Sequence, residues 1–133
     1  MAYLQWQKRT ALFQPTSYTA NETWEAFNVA AGDLVGPIIA RTMVAFNGSG
    51  TDAIVEIGDD GDIDRFLDAG EIDETLTTSW VRAAGAAGGG YVLYRTHLYT
   101  AANTIDVTFT ANTAGTRNAG AIEITAYIAR MRP

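Results

Sequence analysis

The chain has 133 residues, which suits one domain whose core is large enough to fold without a disulfide or a structural metal. It contains no cysteine, so disulfides and thiolate metal sites are excluded, and the redox compartment cannot be inferred. Nine Lys and Arg against fifteen Asp and Glu give a net charge of −6, which argues against nucleic-acid binding because phosphates require clustered basic side chains.

The N-terminal residues have no positively charged start followed by an apolar run, so they do not resemble a signal peptide. No apolar stretch approaches the roughly eighteen residues of a membrane helix. We therefore expect a soluble protein that is made in the cytoplasm, is not exported through a cleaved signal and has no membrane contact.

Alternation of apolar and polar residues with a period of two recurs along the chain and predicts about seven or eight half-buried strands. The pattern is clearest in Ile105–Phe109 and Ile122–Ile128, where every second residue is apolar. In chain order the predicted strands are Tyr3–Lys8, Thr23–Val29, Ile38–Phe46, Ala53–Ile57, Tyr91–Tyr99, Ile105–Phe109 and Ile122–Ile128.

The segments between these strands carry turn residues. Asn47 and Gly48 tolerate positive φ and predict a hairpin over Phe46–Asp52, and Ala111–Gly120 predicts a longer hairpin between the last two strands. Pro37 lacks a donor for a β-ladder, so its strand is expected to lie at an edge or to begin after it. These features predict an all-β fold, an antiparallel β-sandwich of jelly-roll type, although alternation alone also fits a barrel.

The chain shows no internal repeat and no linker long enough to divide two domains. Residues 1–22 are predicted to form an N-terminal arm or a weak edge strand, and residues 23–133 a single β-sandwich domain. Tyr3 and Trp6 stand near the only Lys-Arg pair and are predicted interface residues of a docking arm. The glycine-rich segment 83–90 lacks the Gly-Lys-Ser/Thr of a phosphate loop and is predicted to be a flexible connection.

An acidic segment, Gly58–Asp68, holds five aspartates in eleven residues. On an EF-hand calcium loop, Asp60, Asp62 and Asp64 would take the first, third and fifth positions. Arg65 then stands where the sharp turn of that loop requires glycine, and the flanking residues alternate like strands. The EF-hand interpretation therefore fails, while a calcium site completed by distant loops stays open, with these three aspartates as candidate metal ligands.

The residues favour a surface turn over Gly58–Asp64 whose side chains cap backbone N–H groups, followed by a short helical turn. Phe66 and Leu67 of that helical turn are expected to enter the core. A catalytic pair of carboxylates would have to face each other across a cleft, and acids clustered in one turn do not have that arrangement.

His97 is the only histidine and would have to be the base for any serine nucleophile. The serines are Ser17, Ser49 and Ser79, and none lies in a Gly-x-Ser-x-Gly elbow. No His or Cys pair has the spacing of a zinc site. The sequence therefore assigns no catalytic residue and no cofactor, and it predicts that the protein is not an enzyme.

The strand predicted over Tyr91–Tyr99 is rich in aromatic residues, which bind partners when they are exposed. Its more apolar alternate residues, including Val92 and Leu98, are predicted to face the core. The opposite face would then be exposed, and Tyr together with Arg is typical of protein interfaces. Ordinary cross-strand pairing on a solvated face is the alternative. The predicted interface residues of this strand are Tyr91, Arg95, His97 and Tyr99.

The run Ala45–Asp73, AFNGSGTDAIVEIGDDGDIDRFLDAGEID, resembles a class of small virion proteins of tailed bacteriophages, in which an apolar strand precedes a GD-x-x-D-x-D-x-F turn. The later parts of the resemblance are Tyr91–Tyr99, Thr104–Thr110 and Gly120–Tyr127, so it covers residues 30 to 130 approximately. It implies a small jelly-roll or β-sandwich component of the particle, such as a head decoration protein, a vertex knob or a tail-associated protein. It implies no catalytic residues.

We therefore expect a non-enzymatic structural protein of a tailed-phage virion, namely a capsid decoration (cement) protein on the capsid surface, made in the bacterial cytoplasm. The expected partners are the major capsid protein or another virion protein, with the chain as a homo-trimer or homo-pentamer. The alternative is a carbohydrate- or receptor-binding β-sandwich of a tail fibre, with calcium at the Asp59–Asp64 turn. Decoration predicts an extended apolar contact surface, whereas the alternative predicts exposed aromatics beside that turn. A small hydrolase, the third possibility, would need a concave carboxylate pair.

Overall fold

The computed structural model describes residues 3–17, 20–44, 54–71, 80–81, 96–111 and 119–132. These residues form β-strands and turns and contain no helix. Two antiparallel sheets pack against each other, so the predicted antiparallel β-sandwich is confirmed. The strands are β1 (Tyr3–Phe13), β2 (Glu22–Val29), β3 (Asp33–Val44), β4 (Ile54–Asp59), β5 (Asp62–Glu71), β6 (Trp80–Val81), β7 (His97–Leu98), β8 (Asn103–Thr110) and β9 (Ala121–Arg132).

Sheet A has the order β1-β9-β3-β6, with β7 also paired to β3, and sheet B has the order β2-β8-β4-β5. β6 and β7 pair with different parts of the same edge of β3, with Val81 opposite Ala40 and His97 opposite Val35, so together they fill one strand position. The first strand pairs with the last, and the second pairs with the next to last. The third pairs with β6 and β7, and β4 and β5 form the innermost pair, a hairpin. This nested antiparallel pairing, wrapped into two sheets, is the jelly-roll arrangement.

The core lies between the sheets and is made by the alternate residues of each strand. Ile105, Val107 and Phe109 of β8 are fully buried, and so are Ile122 and Ile124 of β9. Burying a side chain of this size contributes about 1.5–3 kcal/mol, which makes the inward choice of face strongly favourable. The predicted inward faces of these two strands are confirmed.

β3 begins before the strand predicted over Ile38–Phe46 and runs through Pro37. It lies between β9 and the β6–β7 edge, so the expectation of an edge strand or a later start is wrong. Its register against β9 shifts between Val35 and Ile38, and this bulge accommodates a residue that cannot donate a ladder hydrogen bond. A second register shift against β9 lies between Thr42 and Val44, and Val44 is about half exposed.

The two predicted hairpins are wrong because the strands on either side of each belong to different sheets. β3 in sheet A and β4 in sheet B flank Phe46–Asp52, which lies outside the described residues. β8 in sheet B and β9 in sheet A flank Ala111–Gly120, of which residues 112–118 lie outside the described part of the chain. The strands on the two sides of each segment therefore belong to different sheets, as in a jelly roll, and local turn residues do not determine which strands pair.

The N-terminal segment forms an edge strand, one of the two alternatives predicted for it. β1 pairs with β9 along all eleven of its residues. Residues 3–8 are exposed on both faces of the strand, so sheet B does not cover this half. Phe13 at the other end is buried and stacks on Trp24 of β2 with ring centroids 5.5 Å apart, which anchors β1 in the core.

Candidate functional site

The faces predicted for the end of the aromatic strand are inverted. Leu98, predicted to face the core, is 56% exposed, whereas Tyr99, predicted to face outward, is 4% exposed. β7 pairs His97 with the buried Val35 of β3, which turns Leu98 to the outside. A difference of one residue in register inverts every face of a strand, and the aromatic pattern alone did not fix the register. Tyr99 is therefore a core residue, and its prediction as an interface residue is wrong.

Tyr99 belongs to a buried polar network centred on Asp59, which is 2% exposed. Oδ1 of Asp59 accepts hydrogen bonds from the backbone N–H groups of Gly61 at 2.9 Å and Asp62 at 3.1 Å. Oδ2 accepts hydrogen bonds from Nε of Arg65 at 2.6 Å and from the hydroxyl of Tyr99 at 2.8 Å. Both oxygens of this buried carboxylate are therefore paired.

His97 contacts this network and does not lie on an open face of the sheet. Its Nδ1 is 3.3 Å from Nη1 of Arg65, and its ring meets the ring of Tyr99 edge-on with centroids 4.6 Å apart. The side chain is half-buried. Through these contacts the network joins β5 of sheet B to β7 of sheet A.

The electrostatics of the network keep Asp59 charged and Tyr99 neutral. Burial alone would raise the pKa of Asp59, but hydrogen bonds from Arg65, Tyr99 and Gly61 outweigh burial and lower the pKa. Burial, together with the adjacent carboxylate, raises the pKa of Tyr99 well above its ordinary value. With the pKa of Asp59 lowered and that of Tyr99 raised, neither group changes its protonation state near neutral pH.

The side-chain capping predicted for the acidic segment is present, but the turn consists of Asp60 and Gly61 only, because Gly58 and Asp59 are buried in β4 and Asp62–Asp64 belong to β5. The helical turn predicted after it is wrong. β4 and β5 form a hairpin with Asp59 opposite Asp62, and β5 continues as a strand through Phe66 and Leu67. Both of these side chains are 1% exposed, as predicted. Two adjacent residues of one strand enter the core because the register shifts between Ile57 and Asp59 and the strand bulges.

The three candidate calcium ligands are not brought together into a coordination set. Asp60 is exposed, whereas Asp62 and Asp64 are half-buried, and Oδ2 of Asp62 lies 3.9 Å from Nη1 of Arg65. Within the described part of the chain, no group of three or more His, Cys, Asp or Glu side chains could hold a metal ion. Calcium would need six to eight oxygens around one point.

A second buried carboxylate, that of Asp33 at the start of β3, is held by Arg130 of β9. Nε and Nη2 of Arg130 donate to its two oxygens at 2.6 Å each, and the N–H of Ala30 donates at 2.9 Å. The hydrogen bond from Arg130 lowers the pKa of Asp33 against the effect of burial. The backbone of Tyr99 also bonds to this turn, at Asp33 and Gly32, so Tyr99 ties the β2–β3 turn to the β4–β5 turn.

Asp106 of β8 is a third buried acid, and its charge is not balanced. It is 9% exposed, and within the described residues its Oδ1 has no hydrogen-bond partner. Burial raises its pKa, the charges of Asp60, Glu25 and Asp59 raise it further, and a hydrogen bond from Thr104 acts in the opposite direction. Ionised Asp106 therefore destabilises the folded state at neutral pH.

Replacing Asp106 by asparagine is expected to stabilise the protein by about 1 kcal/mol at pH 7, because it removes an unpaired buried charge. The pKa of Asp106 is raised in the folded state, so the wild type gains stability as pH falls from neutral toward the ordinary value of about 4. Urea unfolding at pH 7 and at pH 4.5 will measure the difference between the two proteins, which should narrow at the lower pH. An equal difference at both pH values contradicts the prediction.

The outer side of sheet A carries a continuous set of apolar side chains. Trp6 of β1 and Leu34 of β3 flank Ala129 of β9. Leu98 of β7 extends this row beyond Leu34, and in the adjacent row Leu4 lies opposite Met131. We call this set the outer apolar face; its residues are Leu4, Trp6, Leu34, Leu98, Ala129 and Met131.

Four residues of the outer apolar face are about half exposed: Leu4 at 47%, Trp6 at 49%, and Leu98 and Met131 at 56% each. Gly36 of β3 makes room for the indole, because a Cβ there would lie 2.9 Å from Cζ3 of Trp6. Contiguous exposed apolar side chains on a protein surface mark a site of interaction.

Among the predicted interface residues, Trp6 and Tyr3 are both exposed, but they lie on opposite sides of β1. The sequence analysis did not identify Leu34 and Met131 as surface residues near Trp6, because both lie outside the predicted strands. They lie near Trp6 only because β9 pairs with both β1 and β3. Two further predicted residues lie outside the described part of the chain, Tyr91 and Arg95.

Charge is divided unequally between the two sheets. The strands of sheet A hold five basic and two acidic residues, a net charge of +3, with His counted as neutral. The strands of sheet B hold one basic and nine acidic residues, a net charge of −8. The bases look scattered in the sequence, and the topology places five of the nine on the strands of sheet A, whereas nine of the fifteen acids lie on the strands of sheet B.

No protein-family model, no curated protein and no solved structure matches the chain. Of the residues that the structure describes, none forms a helix that is long and apolar enough to cross a membrane. The resemblance of Ala45–Asp73 to phage virion proteins stays a prediction.

Proposed function

We propose that the protein is a non-enzymatic structural component of a tailed-phage particle, a capsid decoration protein that binds the shell through its outer apolar face. The observation that supports this most strongly is the half exposure of Leu4, Trp6, Leu98 and Met131 on one side of one sheet. An antiparallel sheet with one face on the core usually has polar side chains on its other face. An open apolar sheet face suits a broad protein surface, whereas a small ligand requires a concave pocket.

The fold is compatible with this proposal without deciding it. Jelly rolls form viral capsid domains and lectin domains alike, so the fold alone does not separate decoration from carbohydrate binding. The carbohydrate-binding alternative expects exposed aromatics beside the Asp59–Asp64 turn. Among the described residues, Tyr99 contacts this turn, and it is buried and bonded to Asp59. The described residues therefore favour decoration.

A decoration protein acts through many weak contacts made by identical copies. Each outer apolar face adds a modest contact, and copies related by the symmetry of the shell combine these contacts into firm attachment. The acidic sheet B, with a net charge of −8 on its strands, would then face away from the shell and keep a crowded particle soluble. The proposed partner is the major capsid protein or another virion protein, and the proposed location is the capsid surface.

Replacing Trp6 and Met131 together by serine is expected to weaken binding to the particle at least about thirtyfold, because apolar anchors at interface centres contribute about 2 kcal/mol or more. The binding assay is co-sedimentation of the purified protein with particles of the encoding phage that were assembled without it. Because about half of each side chain is buried, the variant is expected to lose some stability, and thermal unfolding will show that it is folded at the temperature of the assay.

The matched control is Leu12→Ser. Leu12 lies on the same strand and is 58% exposed, but it lies opposite Glu123 and outside the outer apolar face. This variant should bind particles like the wild type. If the Trp6 and Met131 variant also binds like the wild type, the outer apolar face is not the contact with the shell.

A further inference from the structure

We propose that copies of the chain associate head to tail, with the basic edge strand β1 of one copy against the acidic edge strand β5 of the next, and that the association closes into a ring. The inference deepens the proposed function and rests on it only for the role of the ring, which would sit on a symmetry axis of the shell. The contact itself follows from the position, charge and exposure of the two strands.

Both strands have one edge that no other described strand covers. β1 pairs with β9 alone, and β5 pairs with β4 alone. β1 contains no proline, and its ladder with β9 runs through eleven residues without a register shift. Edge strands of monomeric proteins are usually short, bulged or otherwise protected, because a long regular edge pairs with other chains. β1 therefore offers an edge suited to contact with another copy.

The two edges carry opposite charge. β1 contains Lys8 and Arg9 and no acid, a net charge of +2, whereas β5 contains four acids and one base, a net charge of −3. The base of β5, Arg65, is already paired with the buried Asp59 at 2.6 Å. The adjacent strand β2 carries two acids, so the positive charge at this edge of the sandwich comes from β1. Two β1 edges or two β5 edges would bring like charges together, so charge selects the contact of β1 with β5.

The two edges lie on opposite sides of the sandwich. β1 borders β2, because Nη1 of Arg9 donates to the backbone oxygen of Asn28 at 2.8 Å. β5 borders β7, because Nη1 of Arg65 lies 3.3 Å from Nδ1 of His97. An interface between two different patches is heterologous, and it generates a ring when the rotation between copies closes.

Exposed apolar side chains accompany the charges on both edges. Tyr3 of β1 is 56% exposed and lies on the side of the strand opposite the outer apolar face, and Ile63 of β5 is 55% exposed. Apolar contact supplies affinity, while the charges set the orientation. Because neither residue belongs to the outer apolar face, that face stays available for a shell.

Sedimentation-velocity centrifugation of the full chain will test the proposal. The wild type is expected to sediment as one closed oligomer of three or more copies. Lys8→Glu combined with Arg9→Glu is expected to weaken the association at least about tenfold. Adding Asp62→Lys and Asp64→Lys exchanges the two signs and restores the net charge of −6, so this fourfold variant should associate again.

Thermal unfolding of each variant will show that it is folded, and Lys8→Gln with Arg9→Gln provides a milder second variant. A wild type that stays monomeric at all concentrations overturns the proposal, and so does a folded fourfold variant that stays monomeric. The two proposals can be tested separately. Charge reversal at β1 should dissociate the ring in solution, whereas the Trp6 and Met131 variant should still form the ring but no longer bind the particle.

Discussion

Replacing Asp59 by alanine is expected to lower the free energy of unfolding by about 3 kcal/mol. The side chain is 2% exposed and accepts hydrogen bonds from Gly61, Asp62, Arg65 and Tyr99. Its loss leaves a buried hydroxyl and two backbone N–H groups without their acceptor. The Arg65 side chain is 24% exposed, so water will partly hydrate the unpaired guanidinium, which places the loss at the lower end of the range for broken buried ion pairs.

Urea unfolding at pH 7 will measure this loss. Asp60→Ala is the matched control, because Asp60 is the exposed neighbour in the same turn and its replacement should change stability by less than about 0.5 kcal/mol. Tyr99→Phe removes one hydrogen bond of the network while the ring remains, and it should cost about 1.5–2 kcal/mol. If Asp59→Ala is as stable as Asp60→Ala, the network does not hold the fold.

The dependence of stability on pH tests the contribution of Asp59 together with those of the other two buried acids, Asp33 and Asp106. The pKa values of Asp59 and Asp33 are lowered in the folded state, so the stability they contribute is present above the ordinary value of about 4 and is lost as pH falls below it. The raised pKa of Asp106 acts in the opposite direction between neutral pH and about pH 4. The loss of stability below pH 4 should therefore be smaller in Asp59→Ala than in the wild type.

Replacing Gly58 by alanine is expected to destabilise the protein by about 3 kcal/mol. A Cβ at Gly58 would overlap the backbone of β5 at Asp62 and Ile63, and it would lie 2.5 Å from the carbonyl oxygen of Ile63. Because these are backbone atoms, no side-chain rotation relieves the overlap, and β5 would have to move away from β4. That movement would pull the buried Phe66 and Leu67 away from their packing in the core.

Gly61→Ala in the same hairpin is the control for this substitution. A Cβ there would lie 3.4 Å from Oδ1 of Asp59 and 3.5 Å from Nη2 of Arg65, which are ordinary contacts, and the φ angle of Gly61 is not positive. We expect a change of less than about 1 kcal/mol. Thermal unfolding will compare the variants, and equal melting temperatures would mean that β5 does not cross close to Gly58.

The alternation of apolar and polar residues was sufficient to predict strands whose one face is buried by the opposite sheet. β8 follows it from Ile105 to Phe109 and β9 from Ile122 to Ile128, so the inward residues of these segments could be read from the sequence. β5 does not follow it, because its aspartates and the bulge between Asp62 and Leu67 interrupt the period of two. Pro37 misled the prediction for a similar reason, since a bulge inside β3 accommodates a residue that regular pairing would exclude.

The candidate surfaces were predictable only in part, because they depend on which strands pair. Trp6 was identified by its residue type, but its apolar neighbours come from three other strands of sheet A. Arg65 lies close to Asp59 in the sequence, whereas Tyr99 is 40 residues away and its face was predicted the wrong way round. Long-range pairing and strand register carry this information, and short sequence patterns do not.

A cryo-electron microscopy reconstruction of the phage particle, with the purified chain bound, would decide the proposed function. We predict jelly-roll density in symmetric copies on the outside of the shell, with Leu4, Trp6 and Met131 directed toward the capsid protein and sheet B toward solvent. A shell without this density, or copies bound with the outer apolar face toward solvent, would contradict the proposed function.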